Sequence, residues 1–354
     1  MSGVAEQRVL EVLQALCPLS APSGHEDAVR EWLLEAWRPA VRSIEVDSIG
    51  NVLACVGGTG PKTMVTAHMD EIGWVIRSIT DDGFLLLDGV PGVRRDGPSR
   101  WYPVGQAVKA FGRDGAVASG VLAAATGHVV SSDRKLREHE ALGWSDFFVD
   151  LGVDSRADVE RLGVHIGAPV VFENTPRTVG RRIVGKSMDD RLPLAAMTLL
   201  LERVDAAALT HELWFVATVQ EETGLHGARA VAARSSFDHA IALDVGLVGD
   251  IPTVDSHDYP ARLGGGPTIV HRDSHVVYDP GLCWRLIDAA AAAGVPTQHG
   301  VYGSYGSDGV PFVSAGIPTA LVGIPTRYTH TAFEMIDPSD VDGTVRMLER
   351  LVSS

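Results

Sequence analysis

The chain has few cysteines and too few basic residues to balance its acidic ones. Its three cysteines, at positions 17, 55 and 283, are odd in number, far apart and without a Cys-x-x-Cys spacing. This usage argues against a disulfide framework and predicts reduced thiols in a cytoplasmic protein. Lys and Arg number 30 against 45 Asp and Glu, which gives a formal net charge of −15. Nucleic acids and anionic membrane surfaces are not expected as partners, because both are polyanions.

The sequence also lacks a long apolar run. No window approaches the ~18 consecutive apolar residues that indicate a membrane-spanning helix. Residues 1–16 carry acidic side chains where a secretory signal needs a basic flank, so we expect no signal peptide. Hydrophobic residues still make up 45% of the 354 residues. That is enough for a large core in two domains, or in one domain with an insert.

Two kinds of pattern divide the chain. From residue 184 onward, strands alternate with helices of ten or more residues, which favours a largely parallel sheet sandwiched by helices. Between residues 79 and 179 the apolar runs are short and turn signals recur, which is typical of a β-rich insert. We therefore predict an α/β catalytic domain from residues 1–78 and 180–354, interrupted by a β-rich domain at 79–179. The charged run 131–144 is interpreted as a solvated surface.

The segment SGHEDAVREWLLEAW predicts a helix near the N-terminus. Ser23 and Glu26 have the S-x-x-E spacing of a capping box, in which a serine caps the helix. The first turn is acidic, which suits the positive end of the helix dipole. We therefore expect Ser23 to cap this helix.

Polar side chains follow the ends of several predicted strands. In an open α/β sheet, ligands bind beyond the carboxyl ends of the strands. Five junctions carry metal-binding residue types: His68 and Asp70 after MVTA, Asp189 and Asp190 before LPLAAM, Glu221 and Glu222 after ELWFVATV, Asp244 after HAIAL, and His330 after PTALVGI. Each junction alone has an ordinary interpretation as a solvated loop or a charged helix start. One metal site accounts for all five together.

The residue types indicate which cations such a site would hold. Carboxylate and imidazole ligands without thiolates favour zinc, cobalt or manganese over iron–sulfur chemistry. Two divalent cations ~3.5–4 Å apart would activate a hydroxide for hydrolysis. Asp70 follows His68 by two residues and is well placed to orient its imidazole. One of the two adjacent glutamates would be left over as a general base.

Five segments, in this order, resemble the tetrahedral-aminopeptidase family: TAHMDEIG, GKSMDDR, QEETGLHGA, ALDVG and IPTRYTHT. This family comprises co-catalytic metallo-aminopeptidases, among them glutamyl and deblocking aminopeptidases, and some members carry an endoglucanase label. The similarity covers nearly the whole chain, and the combination of AHMDEIG with QEETGLHGA is specific. It implies a zinc-exopeptidase-like α/β fold in which the β-rich insert is a dimerisation domain.

The resemblance also implies a role for each candidate residue. It assigns five residues to two divalent metal ions per subunit: His68 and Asp244 at one, Glu222 and His330 at the other, and Asp189 bridging both. Asp189 is favoured over Asp190 because the family usually bridges through the first Asp of its DDR motif. Glu221 would be the general base, and Asp70 would support His68. Arg327 and Tyr328 are candidates to line the substrate pocket, with loop packing as the alternative.

The implied enzyme removes N-terminal residues from short peptides. A hydroxide bridging two ions (Zn²⁺ or Co²⁺, with Mn²⁺ as a third option) would attack the scissile carbonyl, while Glu221 moves a proton to the leaving amine. Family members commonly assemble from dimers into dodecamers, so a homo-oligomer is expected. Two alternatives remain. One is a glycan-acting hydrolase, as the endoglucanase label suggests, and the other is a catalytically inactive assembly protein with the same fold.

Overall fold

The computed structural model of the chain describes residues 2–89, 105–125 and 146–353. The chain forms two compact units: Met1–Glu71 with Thr175–Ser354, and Ile72–Asn174. We expected the boundaries a few residues later, at 78/79 and 179/180. The first boundary falls earlier because the strand Trp74–Ile79 pairs with strands of the second unit. The second falls earlier because the strand Arg177–Val179 pairs with a strand of the first unit. The charged run 131–144 lies outside the described residues.

The described helices and strands are numbered here in chain order. The helices are α1 (Ser2–Leu16), α2 (Asp27–Trp37), α3 (Arg156–Arg161), α4 (Met188–Leu201), α5 (His226–Arg234), α6 (Pro280–Ala292), α7 (Gly309–Ser314) and α8 (Pro338–Val352). The strands are β1 (Ser43–Val46), β2 (Val52–Gly57), β3 (Lys62–His68), β4 (Trp74–Ile79), β5 (Leu85–Gly89), β6 (Gln106–Phe111), β7 (Val117–Ala124), β8 (Phe147–Asp150), β9 (Pro169–Phe172), β10 (Arg177–Val179), β11 (Arg182–Gly185), β12 (Glu212–Thr218), β13 (His239–Leu247), β14 (Thr268–Arg272), β15 (Gln298–Val301), β16 (Thr319–Arg327) and β17 (Glu334–Ile336).

A mixed sheet of eleven described strands forms the centre of the first unit. Its order is β1-β2-β12-β3-β13-β16-β17-β11-β10, and β14 and β15 extend it beside β16. The central pairs β12–β3, β3–β13 and β13–β16 are parallel. The flanking pairs are antiparallel, except for β14–β15, which is parallel. The carboxyl ends of the four central strands therefore meet at one edge of the sheet.

Alternating side chains of β3 take part in two hydrophobic clusters on opposite faces of the sheet. Val65 and Ala67 belong to the larger cluster, which includes apolar residues of α1, α2, α4, α6 and α8. Met64 belongs to a smaller cluster with residues of α5 and α7. Because successive side chains of a strand point to opposite faces, helices cover both sides of the sheet. The predicted helix-sandwiched α/β class is confirmed.

Two helices of this unit begin at an Asp-Pro pair. The Asp279 side chain accepts a hydrogen bond from the backbone N–H of Leu282, and Asp337 caps α8 in the same way through Ser339. A proline then occupies the first helical positions, where no intrahelical partner for its missing N–H is needed. These local signals start the helices at defined residues.

The described residues of the second unit form a closed barrel with the strand order β4-β5-β8-β7-β6-β9 and include one short α-helix, α3. The buried ring of Trp74 packs edge-on against Phe172, with 4.8 Å between the ring centroids. The Ser155 hydroxyl caps α3 by accepting a hydrogen bond from Asp158 N–H. In either unit, no described helix has both the length and the apolar character needed to cross a membrane.

Candidate metal centre

The candidate residues lie where the central strands end. β3 ends at His68, which is the neighbour of Thr218 at the end of the parallel strand β12. Asp244 lies in β13, between β3 and β16, and His330 follows the end of β16 by three residues. Because these strands run parallel, side chains that are far apart in the sequence meet at one edge.

Seven of the predicted residues offer donor atoms to three overlapping groups. Within each group the atoms lie within 4.8 Å of one another: His68, Asp189, Asp190 and Asp244; His68, Glu221 and Glu222; and Asp189, Glu222 and His330. All five predicted ligands and the predicted general base are therefore in one cluster. Most of these side chains are buried, whereas 38% of the His330 side chain is exposed, which leaves that side of the cluster open to solvent.

Asp189 lies between the two imidazoles. Its Oδ1 is 3.0 Å from His68 Nε2, and its Oδ2 is 3.1 Å from His330 Nε2. Each oxygen therefore faces a different histidine, as a carboxylate that bridges two cations must do. His330 Nε2 is also 3.3 Å from Glu222 Oε1.

Asp190 is joined to Asp189 by a cis peptide bond, and its Oδ2 lies 4.0 Å from His68 Nε2. Its Oδ2 accepts a hydrogen bond of 3.0 Å from the backbone N–H of His68. Its buried Oδ1 has no hydrogen-bond partner among the described residues. Asp190 thus commits one oxygen to the backbone, and only Oδ1 is left for a cation.

Asp70 connects His68 to the turn that carries the two glutamates. The Asp70 Oδ1 atom lies 3.3 Å from His68 Nδ1. The backbone carbonyl oxygen of Asp70 lies 3.1 Å from the same ring nitrogen. The Asp70 carboxylate also accepts hydrogen bonds from the backbone N–H groups of Glu221 (2.9 Å) and Glu222 (3.2 Å). Burial alone would raise the pKa of Asp70, but its contact with His68 lowers that pKa below the usual value. This arrangement orients His68 Nε2 toward the cluster.

Crowding shifts the pKa values of the carboxyl groups in opposite directions. Burial, together with the charges of Glu222 and Asp244, raises the pKa of Glu221 well above its usual value. Burial and neighbouring carboxylates raise the pKa values of Asp190 and Asp244 in the same way. Burial also acts on Asp189, but hydrogen bonds with both imidazoles lower its pKa. Without cations, these groups cannot all be ionised at little cost.

The same carboxylates raise the pKa values of the two imidazoles. Burial alone would lower the pKa of His68, but Asp190 and Asp189 raise it well above the usual value. Burial alone would also lower the pKa of His330, but Glu222 and Asp189 raise this pKa well above its usual value. Imidazole and carboxylate ligands bind a cation in their deprotonated forms. The donor set, together with the unpartnered Oδ1 of Asp190, fits divalent cations.

Two buried acidic residues beside the cluster were not singled out from the sequence. Glu334 accepts hydrogen bonds from the backbone N–H groups of His330 and Asp189. Glu71 contacts Lys186 Nζ and accepts the Ser187 hydroxyl at 2.5 Å. Glu71 directly follows the HMD segment, so its position was a signal that could have been used. Glu334 has no such signal, because its partners are backbone groups.

The predicted capping box at Ser23 is wrong. Helix α2 begins at Asp27 after Glu26, which makes no side-chain cap. The Ser23 hydroxyl instead donates to Asp70 Oδ2 at 2.5 Å. Glu26 Oε1 accepts hydrogen bonds from the backbone N–H groups of Gly24 and Gln220. Long-range partners near the cluster therefore replace the local cap.

Arg327 and Tyr328 have different environments. Arg327 donates to both carboxylate oxygens of Asp250, at 2.8 and 2.6 Å, which ties the segment after β13 to the end of β16. Tyr328 is 46% exposed and has a positive φ of 63°, and His330 has a φ of 62°. The Arg327 contacts favour the loop-packing alternative for that residue. The exposed ring of Tyr328 keeps it a candidate for substrate contact.

Comparison with known proteins gives the family of the chain. The model of the M42 glutamyl aminopeptidase family matches residues 50–347. The chain belongs to the M42 peptidase family. One relative is a protein of Acetivibrio thermocellus that is provisionally named an aminopeptidase. The two chains are 33% identical over 345 residues, which cover 97% of this chain and 98% of that protein.

Two solved structures extend the similarity of this M42 peptidase to its fold. An aminopeptidase from the archaeon Desulfurococcus kamchatkensis has a TM-score of 0.90 at 30% identity, over 99% of this chain and 95% of that one. The TET1 peptidase of Pyrococcus horikoshii, which can assemble into a tetrahedron or a large octahedral shell, has a TM-score of 0.84 at 26% identity, over 97% and 99% of the two chains. The predicted family resemblance is confirmed, and this M42 peptidase is a hydrolase of peptide bonds with a buried cluster able to bind metal.

Proposed function

We propose that the protein is a two-metal aminopeptidase that removes N-terminal residues from short peptides. The position of Asp189, with one carboxylate oxygen toward each imidazole, is the observation that carries this proposal. His68 and Asp244 would hold one divalent ion with Asp189. Glu222 and His330 would hold the other with the same aspartate. Zinc or cobalt suits these ligands, and manganese is the third candidate.

The residues of the chain would divide the work of hydrolysis. When bound, the two ions supply a Lewis acid for the scissile carbonyl and activate a water. Glu221 accepts the proton of the attacking water and passes it to the leaving amine. Burial raises the pKa of Glu221, which is the direction that favours a general base over an ordinary surface carboxylate. The acidic surroundings attract the free α-ammonium group of the substrate, which favours cleavage at the N-terminus.

The two adjacent glutamates provide the sharpest test. Glu221→Gln keeps size and removes only the base, so it should lower kcat by roughly 10²–10⁴-fold while two ions stay bound. Glu222→Gln removes a ligand, so it should lower the metal content first. Turnover of aminoacyl-p-nitroanilides, compared with N-acetylated analogues, reports on the need for a free amine. A Glu221→Gln protein with ordinary kcat, or with lost metal, would refute the assignment.

A glycan-acting hydrolase makes a different prediction about chelators. Glycosidases use two carboxylates that flank the sugar bond without a metal. Here the carboxylates lie together with two histidines in groups that could hold a metal ion, which favours the peptidase. Chelation should abolish peptidase activity, and zinc or cobalt should restore it. Hydrolysis of a β-glucan that survives chelation would favour the alternative.

We also propose that the barrel unit Ile72–Asn174 is a dimerisation domain and that dimers assemble further into a dodecamer. The similarity to a peptidase that forms closed shells supports a homo-oligomer. Light scattering after gel filtration should give a multiple of the 37.7 kDa chain mass. A 37.7 kDa species at every concentration would contradict the proposal. All three cysteines are buried and unpaired, which is compatible with the predicted cytoplasmic location, and that location stays a prediction.

A further inference from the structure

Carboxylates outside the proposed ligand set hold the backbone of the ligands. Asp190 accepts the N–H of His68, and Asp70 accepts that of Glu222. The segment of Asp244 is held by the parallel ladder between β13 and β16. The two remaining ligands, Asp189 and His330, are held by a single side chain.

That side chain is Glu334, which is 2% exposed. Its Oε1 accepts a hydrogen bond of 2.8 Å from His330 N–H, and its Oε2 accepts one of 3.1 Å from Asp189 N–H. Glu334 opens β17, which pairs with β11 on one side and with β16 on the other. β11 leads into the Asp189 segment, and β16 leads into His330. Glu334 is therefore anchored between the two strands whose following segments it holds.

The two oxygens of a carboxyl group suit these two hydrogen bonds. An ionised glutamate has two acceptor oxygens and no donor, so it satisfies two N–H groups at once. A glutamine would satisfy one N–H and direct its own NH₂ group toward the other. His330 has a positive φ of 62°, a conformation that costs a non-glycine residue free energy unless its surroundings fix it. The hydrogen bond to Glu334 supplies one such constraint.

We propose that Glu334 is a positioning residue for the second metal position, the one formed by Asp189, Glu222 and His330. This inference rests on the proposed two-metal function. Glu334 holds two of the three ligands of this position but only the shared Asp189 of the other, so its loss should weaken this position more than the other. Residues that orient metal ligands typically change metal affinity by about 10- to 100-fold when they are substituted.

The chain offers a matched control in Asp340. This carboxylate is fully buried and also accepts two backbone N–H groups, those of Gly264 and Gly266, at 2.7 and 2.8 Å. Neither glycine belongs to the metal cluster. Asp340→Asn therefore reproduces the chemical change of Glu334→Gln at a site that holds no ligand.

The experiment is a titration of the metal-stripped, full-length protein with Co²⁺. Isothermal calorimetry and visible absorption monitor the binding. Wild type should bind two ions, and Glu222→Gln identifies which step belongs to the second position. Glu334→Gln should raise the Kd of that same step by about 10- to 100-fold, and it should raise the Kd of the other step less, because Asp189 is the one ligand of that position that Glu334 holds. Asp340→Asn should leave both steps unchanged, even where it lowers Tm.

The outcomes separate this inference from the proposed function. Fewer than two ions on wild type would refute both. If wild type binds two ions and the Kd of the second step is unchanged in Glu334→Gln, the positioning role alone is refuted. The same holds if Asp340→Asn raises that Kd as much as Glu334→Gln does. If Glu334→Gln does not fold, Glu334→Asp keeps both acceptor oxygens at a shorter reach and should weaken the same step. Failure of both variants to fold, while Asp340→Asn folds, would assign Glu334 to the fold instead.

Discussion

Substituting each of the two adjacent aspartates in turn would test which one bridges the two proposed cations. Asp189→Asn leaves one amide oxygen where two carboxylate oxygens face His68 and His330. Structural zinc sites bind with roughly 10–16 kcal/mol through four ligands, so one ligand is equivalent to about 3 kcal/mol. That is roughly a 100-fold rise in Kd. One position loses a ligand outright, and the other keeps only a neutral oxygen, so both dissociation constants should rise.

Asp190→Asn should have a much smaller effect. The asparagine oxygen can still accept the backbone N–H of His68, as Asp190 Oδ2 does at 3.0 Å. Burial also raises the pKa of Asp190, so a neutral side chain at this position is a close replacement. We expect both dissociation constants to change by less than about tenfold, because no ligand is lost.

Competition with a chromophoric chelator measures both constants on the metal-stripped proteins. Circular dichroism and thermal melting should accompany the titration, because only folded variants can be compared. The reasoning fails if Asp190→Asn weakens both ions by about 100-fold while Asp189→Asn binds them as wild type does. In that case Oδ1 of Asp190, which has no hydrogen-bond partner among the described residues, would be the bridging atom.

Two further predictions concern stability. Burial raises the pKa of Asp250, but its hydrogen bonds with Arg327 lower that pKa below the usual value, so the ionised form stabilises the fold at neutral pH. Thermal melts should therefore show a lower Tm for Asp250→Asn than for wild type at pH 7. This difference in Tm should persist down to about pH 4, the unfolded-state pKa, and should narrow below about pH 4 as the folded-state carboxylate becomes protonated. A difference that stays constant below about pH 4 would contradict this. Leu16 is fully buried in the larger cluster, so Leu16→Ala should cost about 2–5 kcal/mol, or a fall in Tm of roughly 3–10 °C. The cobalt affinity of the folded Leu16→Ala protein should match wild type, and a Tm within about 2 °C of wild type would contradict the packing argument.

The position of the cluster could be predicted from sequence because strand ends are easy to locate. An apolar run such as MVTA followed by His68 marks the end of a strand, and parallel strands bring such ends together. The ligand types followed from the absence of cysteine at these junctions. The helix-sandwiched sheet was predictable for a similar reason, since its strands and helices differ in length and period.

The choice between Asp189 and Asp190 could not be derived from the pattern. The two residues are adjacent and chemically identical, and their separate environments depend on tertiary contacts with His68 and His330. Glu334 escaped notice because backbone N–H groups, its partners, are present at every non-proline residue. Ser23 was assigned to a helix cap because a local rule was applied where a buried carboxylate, Asp70, offers a stronger acceptor.

The donor cluster draws on the chain from residue 68 to residue 330, on both sides of the barrel unit. A ribosome-bound chain that ends before His330 cannot assemble it, however well its earlier strands have folded. Under the proposed two-metal function, hydrolytic competence would therefore arise only after residue 330 has been synthesised. The long sequence separation of the donors would make synthesis through His330 a condition for cleavage.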